Sequence, residues 1–273
     1  MQTLVQESTA LVYYVYGVIA EQELNLPAVS AVEPGAPVLC VREGDLGAVV
    51  TPLPLDRFDP EVMEERLADL TWLEPRVRAH QEVLAAIVGP VAPLRFGTIF
   101  RDEEGVRTML RTNGAMLRAV LERLRGRREW GVKIYAEPKQ VAEYVRANNV
   151  QVANLITQRN RMSSGAAYML QKKLDALILQ ESRQLANICV CESQARLAGR
   201  AAATAGGPVS QTAGDGMELI FSGAYLVDET TFDQFLAEVE ALVAHYSSFR
   251  FELTGPWPAY SFAAAPQSES DHV

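Results

Sequence analysis

Residues 11–20, LVYYVYGVIA, constrain the fold more than any other stretch of this chain. The run is β-branched and aromatic without strict alternation, which predicts a central strand covered on both faces. Ten apolar residues are half of the roughly 20 that a helix needs to cross a bilayer, so no transmembrane helix is expected. The run does not read as a secretory signal either, because the first basic residue, Arg42, lies beyond it. A cytoplasmic chain is expected.

Of the 273 residues, 48% are hydrophobic and 22% charged, which is enough to bury a real core and suits two domains. The net charge of −9 opposes attraction to nucleic-acid phosphates or anionic lipid. Cys40, Cys189 and Cys191 cannot make a disulfide framework and read as small apolar residues in a reducing compartment.

Along the chain, residues 38–50 form two short apolar runs around Glu-Gly-Asp, the sequence form of a hairpin. Leu73, Val77, His80, Leu84 and Ile87 then share one helical face, and GPVAP (89–93) stops that helix. PLRFGTIF (93–100) predicts a short strand. Asp102 caps a helix whose stripe runs from Val106 to Leu124 and which ends in RGRR (125–128). A strand over 128–138 opens the second half. A helix follows from Pro138 to about Ile156, and a long one runs from about Ser164 to about Ala202.

Residues 204–216, TAGGPVSQTAGDG, predict a loop with at most a short edge strand over 208–212. Strands are expected at 217–228 and 249–255, around a helix that Thr231 and Gln234 would start as a capping box. Strand, helices, weak strand, strand, helix, strand is the order of a ferredoxin-like unit with an enlarged helical crossover. The fold expected is α+β in two domains, the first carrying a small mixed sheet. The divisions are a disordered N-terminus over 1–10, a first domain over 11–127, a second over 128–253 with a variable loop at 204–216, and an aromatic arm with a polar tail over 254–273.

Catalytic chemistry finds little to stand on. His80, His245 and His272 have no metal-ligand spacing, and His80, on an apolar helix face, reads as a core histidine satisfied by a hydrogen bond. Cys189 and Cys191 point about 200° apart on a helix and cannot pinch one metal. No phosphate loop, dinucleotide fingerprint or nucleophile elbow is present. SSGAAY (163–168) reads as a plain N-cap rather than an anion site. Asp102, Glu103 and Glu104 are explained by capping, and Glu61, Glu64 and Glu65 by a solvated first turn. No catalytic residue, cofactor or metal is expected.

Two stretches stand out. RFGTIF sets Arg95 beside Phe96 within an apolar segment, where a charge needs a partner or an edge position. TGPWPAYSF (254–262) brackets Trp257 with prolines, which exclude a central strand, while its rings seek burial. It predicts a clamp over the sheet end, joining the two domains through Trp257, Tyr260 and Phe262. A buried Trp257 would cost roughly 3–5 kcal/mol on replacement by alanine.

Taken together, YYVYGVI, LRFGTIF, EWGVKIY, SGAAYMLQKKLD, GAYLVD and LTGPWPAYSF resemble, in content and order, the gas vesicle protein family GvpL/GvpF. The resemblance spans nearly the whole chain except the first ten residues and 204–216. It implies two α+β domains, the second modified ferredoxin-like. It further implies a non-enzymatic role in gas vesicle formation, through binding of the hydrophobic shell protein GvpA and other accessory Gvp proteins. Arg95, Phe96, Trp257, Tyr260 and Phe262 are the structural or partner-binding residues expected. The alternative is a small-molecule-binding or enzymatic protein on a ferredoxin-like scaffold, since such sheets host unrelated activities.

Overall fold

Strand β1, Leu11–Ala20, occupies the middle of its sheet, as an apolar run covered on both faces should. The computed structural model describes residues 10–20, 29–57, 66, 68–212 and 216–263. The N-terminal segment expected to be disordered (except Ala10), Glu61, Glu64, Glu65, His272 and the tail beyond residue 263 lie outside them. Among the described residues there are nine strands and seven α-helices, and the chain divides into two compact units. One holds the residues through Glu129 and those from Trp257 onward; the other runs from Trp130 to Pro256.

In the first unit, β1 pairs antiparallel with β3 (Leu46–Pro54), which continues to β2 (Leu39–Glu43). The predicted hairpin closes at Glu43 and Leu46, with Gly44 at a φ of 61° in the turn. On its other edge β1 pairs with two short strands, β4 (Ala92–Pro93) and β5 (Ile99–Phe100). The pairings of β1 with β3, β4 and β5, and of β2 with β3, are all antiparallel, so the sheet is not the mixed one expected. Gly17 lets β4 approach, because a Cβ there would sit 2.8 Å from the Ala92 carbonyl oxygen.

Helix α1, Leu70–Ala86, starts where the Asp69 carboxylate accepts from Thr71 N–H, and it brings His80, Val83 and Leu84 onto the sheet. The core joins them to Val12, Tyr14, Tyr16, Ile19, Val49 and Leu53. The helix expected from Asp102 is two helices, α2 (Glu103–Thr112) and α3 (Gly114–Leu124). Asn113 serves both: its N–H donates to Met109 C=O and its C=O accepts from Leu117 N–H. The apolar stripe passes through the break unaltered.

In the second unit, β6 (Arg127–Ala136), β7 (Ala203–Thr212), β8 (Glu218–Asp228) and β9 (Phe249–Trp257) form a sheet in the order β7-β8-β6-β9. α4 (Pro138–Asn148), α5 (Val150–Arg159) and α6 (Ser164–Ala198) connect β6 to β7, and α7 (Phe232–His245) connects β8 to β9. The single helix expected from Pro138 breaks at Asn149, whose side chain accepts from the N–H groups of Gln151 and Val152. Val132, Ile134, Phe221, Tyr225, Phe235 and Leu242 are among the buried core residues. A smaller cluster of Val145, Val152, Leu174 and Ile178 holds α4, α5 and α6 together.

Three further expectations are corrected. Residues 203–212 are a full edge strand, not a loop, paired with β8 from Ala203↔Leu226 to Thr212↔Glu218. Strand pairing uses backbone groups, which glycines supply as well as other residues; Gly206, at a φ of 82°, accommodates the close approach of Ser222. Thr231 makes no capping bond; Asp228 accepts from Thr230 N–H instead, opening a 3-10 turn ahead of α7. The last strand runs through Pro256 to Trp257, which an edge strand permits.

Candidate functional site at His80 and the C-terminal arm

Residues two apart on a strand share a face, so Tyr14 and Tyr16 of β1 both point toward α1. Their rings meet edge to face at 5.1 Å, and the His80 ring lies 5.7 Å from the first and 5.5 Å from the second. Tyr16 Oη accepts from Val32 N–H and lies 2.8 Å from Thr51 Oγ1. Tyr14 Oη accepts from Gly97 N–H and lies 2.7 Å from His80 Nδ1. His80 Nε2 lies 2.8 Å from Tyr260 Oη.

Protons follow from exposure. Tyr14 is 2% exposed, so its hydroxyl proton needs a protein acceptor, and His80 Nδ1 supplies it. The single proton of a neutral imidazole then sits on Nε2 and is donated to Tyr260 Oη. Burial lowers the His80 pKa to about 4, partly offset by the Leu94 backbone, and keeps the ring neutral. Burial likewise raises Tyr14 and Tyr260 above the usual phenol value. Both imidazole nitrogens are thus occupied by phenols that hold their protons. The arrangement fastens segments and offers no activated nucleophile.

The strand expected over 93–100 is interrupted: residues 94–98 turn between β4 and β5, and RFGTIF ends in the two residues of β5. Thr98 N–H and Oγ1 both donate to Arg95 C=O, and Gly97 has a φ of 86°. Arg95 sits exposed on that turn, whereas Phe96 folds inward, 5.9 Å from the Tyr14 ring and 5.8 Å from His80. The rim position open to Arg95 from sequence is the one observed.

The arm after β9 folds into a turn, with Phe262 and Ala263 N–H groups donating to Ala259 C=O. It is fixed at three points. Tyr260 reaches His80; Ser261 N–H and Oγ donate to the two oxygens of Glu129 at 2.9 and 2.8 Å; Arg123 donates to Phe262 C=O. Burial raises the Glu129 pKa, and the Ser261 bonds pull it back. Ala259, Phe262 and Ala263 are buried, while Trp257 is 46% exposed. The burial expected of Trp257 is therefore incorrect, because the prolines turn the chain so that Phe262 fills the core instead.

His80, Tyr14, Phe96 and Tyr260 come together here; Arg95 and Trp257 lie at the surface. Sequence reasoning passed over Glu129 and Ser261. The one available signal was an acidic residue next to Trp130, the single carboxylate in a strand whose other charges, Arg127, Arg128 and Lys133, are cationic. Among the described residues no group of three or more His, Cys, Asp or Glu is placed to hold a metal ion.

A model of the gas vesicle synthesis protein GvpL/GvpF family matches residues 12–264. The chain belongs to that family. Gas vesicle protein L of a Streptomyces species is 33% identical to it over 96% of both chains. Gas vesicle protein F2 of Halobacterium salinarum is 25% identical over 91% of this chain and 90% of that one. Crystal structures of GvpF share its fold: that from Anabaena with a TM-score of 0.65 at 17% identity, covering 94% of this chain and 97% of that one, and that from Microcystis aeruginosa with 0.60 at 18%, covering 93% and 99%. Membership in GvpL/GvpF supports a role in gas vesicle formation. No described helix of this GvpL/GvpF protein is long and apolar enough to cross a membrane.

Proposed function

We propose that this protein is an assembly factor or minor structural component of gas vesicles, binding the hydrophobic shell protein GvpA and other accessory Gvp proteins. The second unit is read as a modified ferredoxin-like domain, a reading supported by the strand order β7-β8-β6-β9. A shell subunit apolar enough to exclude liquid water exposes strands and faces that aggregate before assembly. A partner must cover them.

The observation that carries this reading is β7. It is a ten-residue strand at the edge of its sheet, ATAGGPVSQT, without one charged side chain and with residues 208–212 exposed. Edges are blunted by charge, proline or bulges; β7 carries Pro208 and a register shift between Pro208 and Gln211 but no charge, and an uncharged edge can accept a further strand. Strand addition at β7 would hold a shell subunit through its backbone with little demand on its side chains. Calorimetric titration with the shell protein tests this, using Ser210→Lys/Gln211→Lys to put charge on the edge. The charged variant is expected to bind at least about tenfold more weakly; unchanged affinity contradicts binding through β7. Fractionation of vesicles after a urea wash separates a soluble helper from a permanent shell component.

A further inference from the structure

The motif SGAAYMLQKKLD carries more than a helix start. Residues 159–173 contain four cations, Arg159, Arg161, Lys172 and Lys173, and no acidic residue, in a chain whose net charge is −9. None of the four pairs with a carboxylate among the described residues. Arg159 donates to Gln171 and Asn160, and Lys172 Nζ lies 5.1 Å above the Tyr168 ring.

Helix α6 turns Leu174 and Ile178 inward against α4 and α5. The opposite face repeats at three and four residues through Tyr168, Met169, Lys172, Lys173, Ala176 and Leu179, all exposed. Tyr168 is 61% exposed, Met169 68% and Leu179 52%, large values for apolar side chains on one helical seam. The twelve residues from Tyr168 to Leu179 measure about 18 Å, a little over three helical turns. Asp175, which accepts from Gln171, is the one carboxylate on this stripe, and Lys172 and Lys173 outnumber it, so apolar side chains at helical spacing interleaved with cations complement an amphipathic helix carrying acidic residues.

We propose that this face of α6 docks an acidic amphipathic helix of a protein partner. The proposal rests on the reading that the protein works by binding other proteins, and it names the chemistry of one such partner. Charge favours a peptide over a membrane. Screening confines a docked helix to the charges within about 8–10 Å, where Arg159, Arg161, Lys172 and Lys173 outnumber Asp175, whereas an extended anionic bilayer meets the acidic remainder of the chain as well.

The test titrates the full chain with a synthetic helical peptide carrying leucines at helical spacing and glutamates at the flanks, and with a second peptide in which lysines replace the glutamates. Wild type is expected to prefer the acidic peptide by about tenfold or more, with affinity falling as salt is raised. Lys172→Glu/Lys173→Glu is expected to abolish that preference, and Tyr168→Ala/Met169→Ala to weaken binding of both peptides. These positions are exposed, and circular dichroism melting verifies that each variant folds. Equal affinity for the two peptides, or an unaltered preference in the charge-reversed variant, overturns the proposal. Binding to phosphatidylserine vesicles that the charge reversal abolishes, without acidic-peptide binding, overturns it in favour of a lipid surface. A parallel titration with the shell and accessory proteins keeps the two readings apart: if they bind the wild type and the charge-reversed variant alike, only the α6 surface fails. If they bind neither while the acidic peptide still binds, the gas vesicle partner fails and the surface stands.

Discussion

Tyr260 and His80, 180 positions apart in sequence, meet through a 2.8 Å hydrogen bond that pins the end of the chain to α1. The far side of the same imidazole meets Tyr14 at 2.7 Å, so one ring ties the first strand, the first helix and the arm. Removing either hydroxyl should destabilise, but unequally. Tyr14→Phe strands His80 Nδ1 and Gly97 N–H in a dry site and should cost about 1–3 kcal/mol. Tyr260→Phe strands one group, His80 Nε2–H, beside a residue that is 36% exposed, and should cost less, about 1 kcal/mol. Urea unfolding of both variants checks the order; an equal or reversed cost contradicts the difference in burial and partners between the two hydroxyls.

Acid should expose the buried histidine. The His80 pKa falls from an ordinary 6.5 to about 4 in the folded protein. Between those values the unfolded chain binds a proton that the folded chain does not, so this contribution is complete above pH 6.5 and is lost as pH falls toward 4. It amounts to about 3 kcal/mol at about 1.4 kcal/mol per unit. Glu129 acts in the opposite sense: its raised pKa contributes stability at low pH that is lost as pH rises through the folded value. Comparing wild type with His80→Gln separates them. The stability difference between the two should shrink by about 3 kcal/mol from pH 6.5 to pH 4, and a pH-independent difference contradicts a neutral buried ring.

Trp257 and Phe262 make a second contrast within one motif. Phe262 is 7% exposed, and its replacement by alanine should cost about 3 kcal/mol or more. Trp257→Ala should cost well under that, because nearly half of the residue is already in water. Thermal unfolding of the two variants decides whether the arm is held by its distal or its proximal ring.

Much of this was legible in sequence wherever burial and period agree. β1, β8 and the helix beginning at Asp102 follow from apolar runs and a cap, and α1 follows from its stripe, though not its start at Asp69. The breaks at Asn113 and Asn149 were hidden because the stripe keeps its spacing across them: Leu110 to Leu117 is two turns whether or not the helix is interrupted. Only the Asn residues, read as caps, could have shown them. β7 was hidden for the opposite reason, since its glycines carry no side-chain pattern and its order comes from β8. The His80 site was half legible. A histidine on an apolar face calls for a hydrogen bond, but nothing local identifies partners 66 positions before it and 180 after it.

The two glycines of β7 test how that strand is held. Gly206 has a φ of 82°, and a Cβ there would lie 2.4 Å from the Ser222 carbonyl oxygen, so Gly206→Ala should cost more than about 1–2 kcal/mol and loosen the β7–β8 ladder. A Cβ added at Gly207 would meet nothing within 4 Å, and Gly207→Ala should be neutral or slightly stabilising. Amide hydrogen exchange along residues 203–212 measures both.

The central claim is that this GvpL/GvpF protein works by holding other vesicle proteins. Its most direct test is a calorimetric titration of the purified chain with the shell protein and, separately, with each accessory Gvp protein. Saturable binding to at least one, weakened by charge on β7, is the predicted result. No measurable binding to any of them, by a chain shown to be folded, would contradict the account.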